Sequence, residues 1–526
     1  MKSLAPLLSI IALVCGLVGC SGGGGSSGGG SASDFAVSTT AADFGVVGNA
    51  YTATLAVTGG TAPFTWTLFG GVLPAGLSLN PGTGVVSGIP TTVETPTAVF
   101  TVTDNTGKTA TGSVLFAVHP RTDRASVTGS GAAGSGASST PSMNSDGSLV
   151  AFISQSTNFV PGVSGSQIYV HNRQTNQIEV VSRDSDASVI NEGGGTSSDP
   201  SISSDGRLVA FVSLSSNLVA SVSGQQIYVR DRQTGHTTVV SKSSAGTIGD
   251  GTSNAPAISA DGRYVAFASA STNLVAGVSG TQIYVHDRQT DQTTLISKDN
   301  TGTPVLGNGV SATPAISATG QFVAFASLST NLGAAGGNQQ IYLHDRLTGA
   351  NGTTSLVSKD SVPTAGNGNS STPSISGDGR FVAFVSGATN IVTGFSGQQV
   401  YVHDRNTGAN GTNSLISRDN SGTPNAGNQN SSAPSISSDG RYVAFTSLAT
   451  NLETGVSGQQ IYRHDRNGPT TSLVSRDNTG SLVEGNASSE APSISGNGAF
   501  IAFTSQASNL LAGGVAPSDI YIRALP

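Results

Sequence analysis

Residues 256–299 read PAISADGRYVAFASASTNLVAGVSGTQIYVHDRQTDQTTLISKD, and this stretch decides the fold of most of the chain. The pair Asp261-Gly262 between Ala-Ile-Ser and Tyr-Val-Ala-Phe-Ala is typical of a two-residue hairpin turn, because type I′ turns need positive φ at both central residues. Gln-Ile-Tyr-Val and Thr-Leu-Ile-Ser are two further runs with strand composition. The stretch therefore predicts four strands, and the second is apolar on both faces, as in a sheet buried between neighbours.

The same unit occurs seven times along the chain. The copies begin at Pro141, Pro200, Pro256, Pro314, Pro373, Pro434 and Pro492. Four strands per repeat at this period are typical of β-propeller blades. The seventh copy lacks the fourth strand, whereas residues 121–130 have the sequence of that strand. We therefore expect residues 121–526 to form a seven-bladed β-propeller closed by an N-terminal strand, which removes the open sheet edges.

The repeats also carry a family resemblance. The segments Ser-x-Asp-Gly-Arg-x-Val-Ala-Phe and Ile-Tyr-Val-x-Asp resemble the TolB-like, WD-related propeller repeats of bacterial envelope proteins. The resemblance covers the seven copies and implies a protein-interaction scaffold in some members. In prolyl-oligopeptidase-type members the propeller guards a separate hydrolase domain, which we do not expect here. The family's usual proline before Asp-Gly is absent, and Ser, Ala or Gly stands in its place.

A second β domain precedes the repeats. Residues 34–120 contain short alternating runs with turn signals between them, which favours a β-sandwich. The sequences LPAGLSL at 73–79 and TGVVSGIP at 83–90 closely resemble the immunoglobulin-like domains of bacterial surface proteins. The resemblance implies a spacer or adhesion module. Trp66 alternates with Phe64 and Leu68 on one strand face, so we expect it to be a core residue rather than a platform for a sugar. Related cadherin-like sandwiches bind calcium, but the acids here are scattered, so we do not expect a calcium site.

The first 33 residues have the pattern of a secretion address. Lys2 is followed by an apolar stretch that is short for a membrane span, so residues 1–19 are expected to be a signal peptide. The sequence LVGC at 17–20 resembles the lipobox of bacterial lipoproteins and implies cleavage before Cys20 and its acylation; simple secretory cleavage is the alternative. Residues 20–33 would then be a lipidated cysteine and a flexible Gly/Ser tether. Ser21, where an Asp usually means inner-membrane retention, suggests the outer membrane.

Composition excludes several classes of function. Only 10% of the residues are charged, the net charge is −7 and glycine occupies 70 positions. This balance suits a turn-rich all-β protein outside the cytoplasm and argues against nucleic-acid binding, which needs clustered Lys and Arg. Loss of Cys15 with the signal peptide would leave one cysteine and therefore no disulfide, cysteine zinc site or cysteine nucleophile. The phosphate-loop, nucleotide and His-Glu-x-x-His motifs are absent, so no cofactor and no metal are expected.

Two sets of amides recur beside the loop between the second and third strands. The first set is Asn158, Asn217, Asn273, Asn331, Asn390, Asn451 and Asn509. The second set is Gln167, Gln226, Gln282, Gln340, Gln399 and Gln460, with Asp519 in the last copy. Turn chemistry explains such repetition, because Asn and Gly fix tight loops. The functional hypothesis is that both sets form a polar ligand face for a neutral glycan or an extended peptide.

Histidines and acids are weaker candidates for a site. Five copies have a histidine on the third strand: His171, His286, His344, His403 and His464. Seven-fold neighbours at that radius lie too far apart for one metal, so we expect His-Asp-Arg to cap its own blade. The acid pairs Glu192 with Asp199 and Glu484 with Glu490 lie in inter-blade loops near the axis. Two carboxylates can hydrolyse glycosides, but loop acids are mostly solvated.

The sequence thus predicts a lipid-anchored, monomeric envelope protein that binds a protein or a polysaccharide without catalysis. It would contact the membrane through the lipid alone and would not bind nucleic acid. The alternative is a polysaccharide lyase or glycosidase working in the axial funnel. An enzyme should place several non-repeated charged or aromatic residues at one mouth of the funnel, and a binding scaffold need not do so.

Overall fold

The computed structural model describes most of the chain beyond the N-terminal segment. The described residues are 35–42, 44–185, 194–300, 305–333, 337–349, 351–360, 364–395, 397–408, 410–421, 425–478, 483–511 and 517–525. Their regular structure is entirely β, and none of them belongs to a helix that could span a membrane. The predicted all-β class, a sandwich followed by a closed seven-bladed propeller, is confirmed.

The N-terminal domain is an immunoglobulin-like sandwich of short strands. They are β1 (Ala36–Val37), β2 (Gly45–Val46), β3 (Tyr51–Thr54), β4 (Val57–Thr58), β5 (Thr65–Gly71), β6 (Leu77–Asn80), β7 (Val85–Gly88), β8 (Thr97–Thr103), β9 (Thr109–Leu115) and β10 (Val118–His119). The sheet β3-β7-β6 packs on the sheet β5-β8-β9, and β10 pairs in parallel with β2. Trp66, Phe100 and Phe116 are buried between them, which confirms Trp66 as a core residue.

The propeller consists of seven four-stranded antiparallel sheets around an axis, and four kinds of strand recur. The first, innermost strands are β12 (Ser138–Met143), β16 (Ser197–Ile202), β20 (Ser253–Ile258), β24 (Ser311–Ile316), β28 (Ser370–Ile375), β32 (Ser431–Ile436) and β36 (Ser489–Ile494). The second strands are β13 (Leu149–Ser154), β17 (Leu208–Ser213), β21 (Tyr264–Ser269), β25 (Phe322–Ser327), β29 (Phe381–Ser386), β33 (Tyr442–Ser447) and β37 (Phe500–Ser505). The third strands are β14 (Gln167–Asn172), β18 (Gln226–Asp231), β22 (Gln282–Asp287), β26 (Gln340–Asp345), β30 (Gln399–Asp404), β34 (Gln460–Asp465) and β38 (Asp519–Ala524). The fourth, outermost strands are β15 (Gln177–Val180), β19 (His236–Val239), β23 (Gln292–Leu295), β27 (Thr353–Leu356), β31 (Thr412–Leu415) and β35 (Thr470–Leu473), with β11 (Thr122–Arg124) in blade 7.

Blade 7 is completed by the segment that leaves the sandwich. Strand β11 pairs antiparallel with β38, and Ser126 follows it. The Ser126 hydroxyl donates to Asp519 Oδ1 at 2.7 Å and accepts from the Ile520 N–H at 3.0 Å. In blade 3, Ser297 makes the same two bonds with Gln282 and Ile283. The N-terminal segment therefore takes the place of a fourth strand in both register and side-chain chemistry.

The core lies between blades, because each second strand is apolar on both faces. Phe267 stacks on Tyr284 at a centroid distance of 5.8 Å, and both face blade 2. Ala266 of the same strand faces blade 4 and packs in one cluster with Phe325. A large ring on one face and a small alanine on the other let consecutive blades interdigitate at the density of a protein interior.

Each innermost strand contains a bulge at the repeat proline. The preceding residues have positive φ of 46° to 51°: Thr140, Asp199, Ala255, Thr313, Thr372, Ala433 and Ala491. The register with the second strand shifts at the same point in every blade. Residues with a Cβ seldom adopt this conformation. A bulge bends its strand, so the seven bulges curve the channel wall at one height around the axis.

Arg173 joins the sandwich to blades 1 and 7. The Arg173 guanidinium lies 4.5 Å from the Phe44 ring centroid and 4.7 Å from that of Phe500. Its Nη2 pairs with Asp123 Oδ2 at 3.0 Å, and its Nη1 donates to the Gly147 carbonyl at 2.8 Å. Burial raises the pKa of Asp123, but the charges and hydrogen bonds of Arg173 and His119 together outweigh burial and lower the pKa to about 2. One side chain thus joins the sandwich, the closing strand and two blades.

The closure predicts the effect of Ser126→Ala. The substitution leaves the Asp519 carboxylate, which is 2% exposed, without one donor in the interior. We expect a loss of about 1–3 kcal/mol in the free energy of unfolding. Urea unfolding, monitored by far-ultraviolet circular dichroism, measures this free energy. Ser130→Ala, in the exposed turn that follows, is the control, and an equal loss in both variants would contradict this role of Ser126.

Candidate binding face and axial channel

The propeller has two unlike faces. The turn face carries the Asp-Gly turns and the turns between third and fourth strands, such as residues 260–263 and 288–291 of blade 3. The loop face carries the loops between second and third strands and the loops that connect blades, such as 270–281 and 305–310. Arg173 binds the carbonyl of an Asp-Gly turn, so the sandwich lies at the turn face. The loop face is on the side away from the sandwich.

A ring of backbone hydrogen bonds narrows the axial channel at the turn face. Its members are Ser145, Ser204, Ala260, Ala318, Gly377, Ser438 and Gly496. Each N–H donates to the carbonyl of the next blade's member at 2.8–3.1 Å, and the Asn497 N–H replaces that of Gly496 in the last step. Proline could not take part in this ring, because it has no N–H to donate.

The small side chains leave little room in the ring. A Cβ on Gly496 would lie 2.4 Å from Ser145 Oγ and 2.9 Å from Ser438 Oγ. The adjoining cavity has a volume of about 160 Å³ and is lined by Met143 and by the isoleucines that end the innermost strands. A ligand of the funnel would therefore enter from the loop face.

The recurrent asparagines connect two loops within the loop face. Asn273 Oδ1 accepts from the Asp250 N–H at 3.1 Å, and its Nδ2 donates to the Ile248 carbonyl at 2.8 Å. The other six accept from the equivalent N–H: Asn158, Asn217, Asn331, Asn390, Asn451 and Asn509. The bonds fix the loop between second and third strands to the loop that enters the same blade. The asparagines thereby make the loop face rigid.

The recurrent glutamines lie beneath that surface. Gln282 Oε1 accepts from Ser297 Oγ at 2.6 Å, and its Nε2 donates to the Gly307 carbonyl at 2.9 Å. All seven side chains are at most 2% exposed: Gln167, Gln226, Gln282, Gln340, Gln399, Gln460 and Asp519. These buried side chains stabilise the loops of the loop face from the interior. Ligand binding by the asparagine and glutamine sets stays a prediction. The glutamine set is buried, whereas Asn158 and Asn217 are exposed and the other five asparagines are half-buried.

The loop face also carries three exposed leucines, which the sequence motifs did not indicate. Leu214, Leu328 and Leu448 follow the second strands of blades 2, 4 and 6 and are 51%, 44% and 38% exposed. The same position holds Gln155, Ala270, Gly387 and Gln506 in the other blades. The leucines therefore stand on alternate blades around the mouth of the channel. A comparison of the residue after Phe-x-Ser in each blade would have found the leucines in the sequence, because they depart from the other copies of the repeat.

Non-repeated acids lie on the same face but apart from one another. Asp199 and Glu490 belong to β16 and β36, on either side of blade 1. Burial raises the pKa of Asp199, although hydrogen bonds from Ser198 and the Ala255 N–H act in the opposite direction. Glu484 accepts from the Ser457 N–H and hydroxyl, so it fixes a loop. Glu192 lies outside the described residues, and within the described ranges no three His, Cys, Asp or Glu side chains cluster as metal ligands would.

His-Asp-Arg caps its own blade, as predicted. In blade 3, Asp287 pairs with Arg263 at 2.7 Å, and Arg288 Nη1 donates to the Gly262 carbonyl of the Asp-Gly turn. The histidine also reaches the preceding blade, because Thr293 Oγ1 accepts a hydrogen bond from His286 Nδ1 at 2.9 Å and donates to the Lys242 carbonyl. Burial lowers the pKa of all five strand histidines to about 4.

Comparison with known proteins finds one matching family model and several similar solved structures. The family described as "Putative Ig domain" matches residues 34–119, and no curated protein matches the chain. TolB from Acinetobacter baumannii is 16% identical and is similar over 72% of this chain and 76% of its own, with a TM-score of 0.35. The β-propeller domain of the Trilobed protease from Pyrococcus furiosus is 13% identical over 70% and 89%, with a TM-score of 0.41. The acylaminoacyl peptidase of Pyrococcus horikoshii is 13% identical over 73% and 50%, also with a TM-score of 0.41. These likenesses concern the fold alone.

The histidines predict that acid destabilises the propeller. Their folded pKa of about 4 lies below the ordinary value of about 6.5, so the unfolded chain binds more protons between these values. The contribution of these histidines to the free energy of unfolding is fully present above about pH 6.5. It falls as the pH approaches 4, by about 1.4 kcal/mol per pH unit for each histidine. Urea unfolding at several pH values measures the slope. His344→Arg is the matched variant, because Arg230 and Arg523 occupy this position in blades 2 and 7; an unchanged slope would contradict the assignment.

Proposed function

We propose that this chain is a lipid-anchored cell-envelope protein that binds a protein partner on the loop face of its propeller, without catalysis. The observation that carries the proposal is the set of three leucines on alternate blades. Exposed apolar side chains that share one face of a protein are candidates for an interaction site. The polar groups around them are already bonded to one another, so the surface is preorganised and loses little conformational freedom on binding.

The position of the sandwich supports the same face. The sandwich contacts blades 1 and 7 at the turn face, through Phe44 and Phe500 at a centroid distance of 5.0 Å. The loop face is free of it. A chain anchored through the N-terminal tether would therefore hold the sandwich as a spacer and leave the loop face available to a partner.

A second candidate function, cleavage of a polysaccharide in the funnel, has one observation in its favour. Asp199 stands on an innermost strand, and burial raises its pKa, which is a feature of carboxyl groups that act as general acids. Aromatic side chains on which a sugar could stack are not among the exposed large apolar residues of the loop face within the described ranges. If the protein hydrolysed envelope polysaccharide and the Asp199→Asn variant did not, this second function would replace the binding proposal.

The anchor gives a separate prediction. Cys20 lies outside the described residues, and the proposal that it is acylated rests on the LVGC motif. We expect Cys20→Ala to move an epitope-tagged protein from the membrane fraction to the soluble fraction, whereas Cys15→Ala, inside the proposed signal peptide, should not. Fractionation measures the shift, and persistence of the Cys20→Ala protein in the membrane would exclude a lipid anchor. Protease treatment of intact cells, with a periplasmic control protein, then decides between surface and periplasm.

The binding proposal predicts that the leucines are needed for partner capture. A photo-crosslinking residue at position 328 should trap a discrete protein in intact cells, and the capture should fall at least several-fold when Leu214 and Leu448 are replaced by Ser. A crosslinker at Leu347, which is 72% exposed on the turn face, is the control. Equal capture from both positions, or capture that ignores the leucines, would contradict the proposal. Binding of purified protein to glycans but to no protein would favour the polysaccharide alternative.

A further inference from the structure

A cleft lies where the sandwich meets the edge of blade 7. Its volume is about 330 Å³, which is within the range of small-molecule sites. Val47, Gly48 and Val93 form its sandwich wall. Pro120 and Arg121, between β10 and β11, and Asn478 and Arg523 of the propeller complete the lining. The cleft therefore exists only when both domains and the segment between them are in place.

The cleft holds two guanidinium groups that differ in their surroundings. Arg121 is exposed, and its Nη2 lies against Gly48, where an added Cβ would come within 3.0 Å of it. Neither an ion pair nor a side-chain hydrogen bond of Arg121 occurs among the described residues. Arg523 is 5% exposed, and the hydrogen bonds described for it all leave from Nη1, toward Thr122, Arg476, Asp477 and Asn478.

Positive charge at the cleft is not balanced within this part of the chain. Burial and, to a smaller extent, the charges of Arg476 and Arg121 together lower the pKa of Arg523 to about 10, whereas Asp477 acts in the opposite direction with the smallest effect. Three arginines thus face one buried acid in a protein whose net charge is −7. A bound anion would relieve their mutual repulsion.

The chemistry of the walls narrows the choice of anion. Guanidinium groups pair with carboxylate and phosphate oxygens through two parallel hydrogen bonds, which a halide cannot accept. Val47, Val93 and Pro120 are apolar and lie in the same cleft. We propose that the cleft between the sandwich and blade 7 binds a small organic anion, whose carboxylate or phosphate pairs with Arg121 and Arg523 and whose apolar part contacts Val47, Val93 and Pro120.

The repeats themselves provide suitable variants. Arg121→Gln removes the exposed cation. Arg523→His introduces the residue that five other blades carry at the same position on the third strand, as at His344. Arg263→Gln is the control, because Gln321 occupies that position in blade 4 and bonds Asp345 as Arg263 bonds Asp287. Each variant therefore uses a side chain that the fold already accommodates or one on the surface.

The experiment is calorimetric titration of the full chain with phenyl phosphate, inorganic phosphate and phenol at constant ionic strength. We expect saturable binding of phenyl phosphate, weaker binding of inorganic phosphate and none of phenol. Arg121→Gln should weaken phenyl phosphate binding about tenfold, Arg523→His should also weaken it, and Arg263→Gln should leave it unchanged.

Three results would overturn the proposal. The first is the absence of saturable binding of phenyl phosphate at millimolar concentration. The second is equal binding of phenol and phenyl phosphate, which would make the charge irrelevant. The third is equal affinity in Arg121→Gln and Arg263→Gln. Circular dichroism of each variant shows that the fold is intact, so loss of binding by unfolding is separated from loss of the site.

Discussion

Closure of the ring by β11 is the interaction on which the rest of the molecule depends. Every apolar cluster of the propeller takes side chains from two neighbouring blades, as Phe267 and Ala210 do between blades 3 and 2. The cluster at the seam unites Ile520 and Ile522 of blade 7 with Val150 and Phe152 of blade 1. An open ring would expose both sides of this seam to water. The strand that leaves the sandwich prevents this, with Ser126 and Asp519 bonded beneath the surface.

The blade architecture could be predicted from the repeats, because strand runs, Asp-Gly turns and the missing fourth strand are local patterns. The contacts between copies of the repeat could not be predicted from these local patterns. The bond from the Thr293 hydroxyl to the Lys242 carbonyl joins residues of different repeats, and the ring of N–H donors at the turn face depends on seven blades meeting at the axis. The junction around Arg173 brings Phe44 and Phe500 together from opposite ends of the described chain, so sequence spacing holds no signal for it.

Repetition separates structural residues from candidate functional ones. The asparagines and glutamines that recur in each blade have internal partners, and the buried serines that accompany them do as well, as Ser253 with Ser269 at 2.9 Å. Features that depart from the repeat are different in kind. Leu328 faces solvent, Arg121 stands where the fourth strands of the other blades begin with Gln, His or Thr, and Asp199 carries a carboxyl where other blades have Ala or Thr. A site for a ligand that lacks seven-fold symmetry has to be made from such departures.

The short connection between the two domains also sets how the molecule would respond to force. Strand β10 ends at His119 and β11 begins at Thr122, so only Pro120 and Arg121 lie between the last strand of the sandwich and the strand that closes the ring. Tension between the N-terminal domain and a partner held by the propeller would reach β11 first, and Asp123 on that strand would pass part of it to blade 1 through Arg173. The closing strand is thus the mechanical coupling of the protein, and a pull strong enough to detach it would open the propeller before it unravelled any other blade.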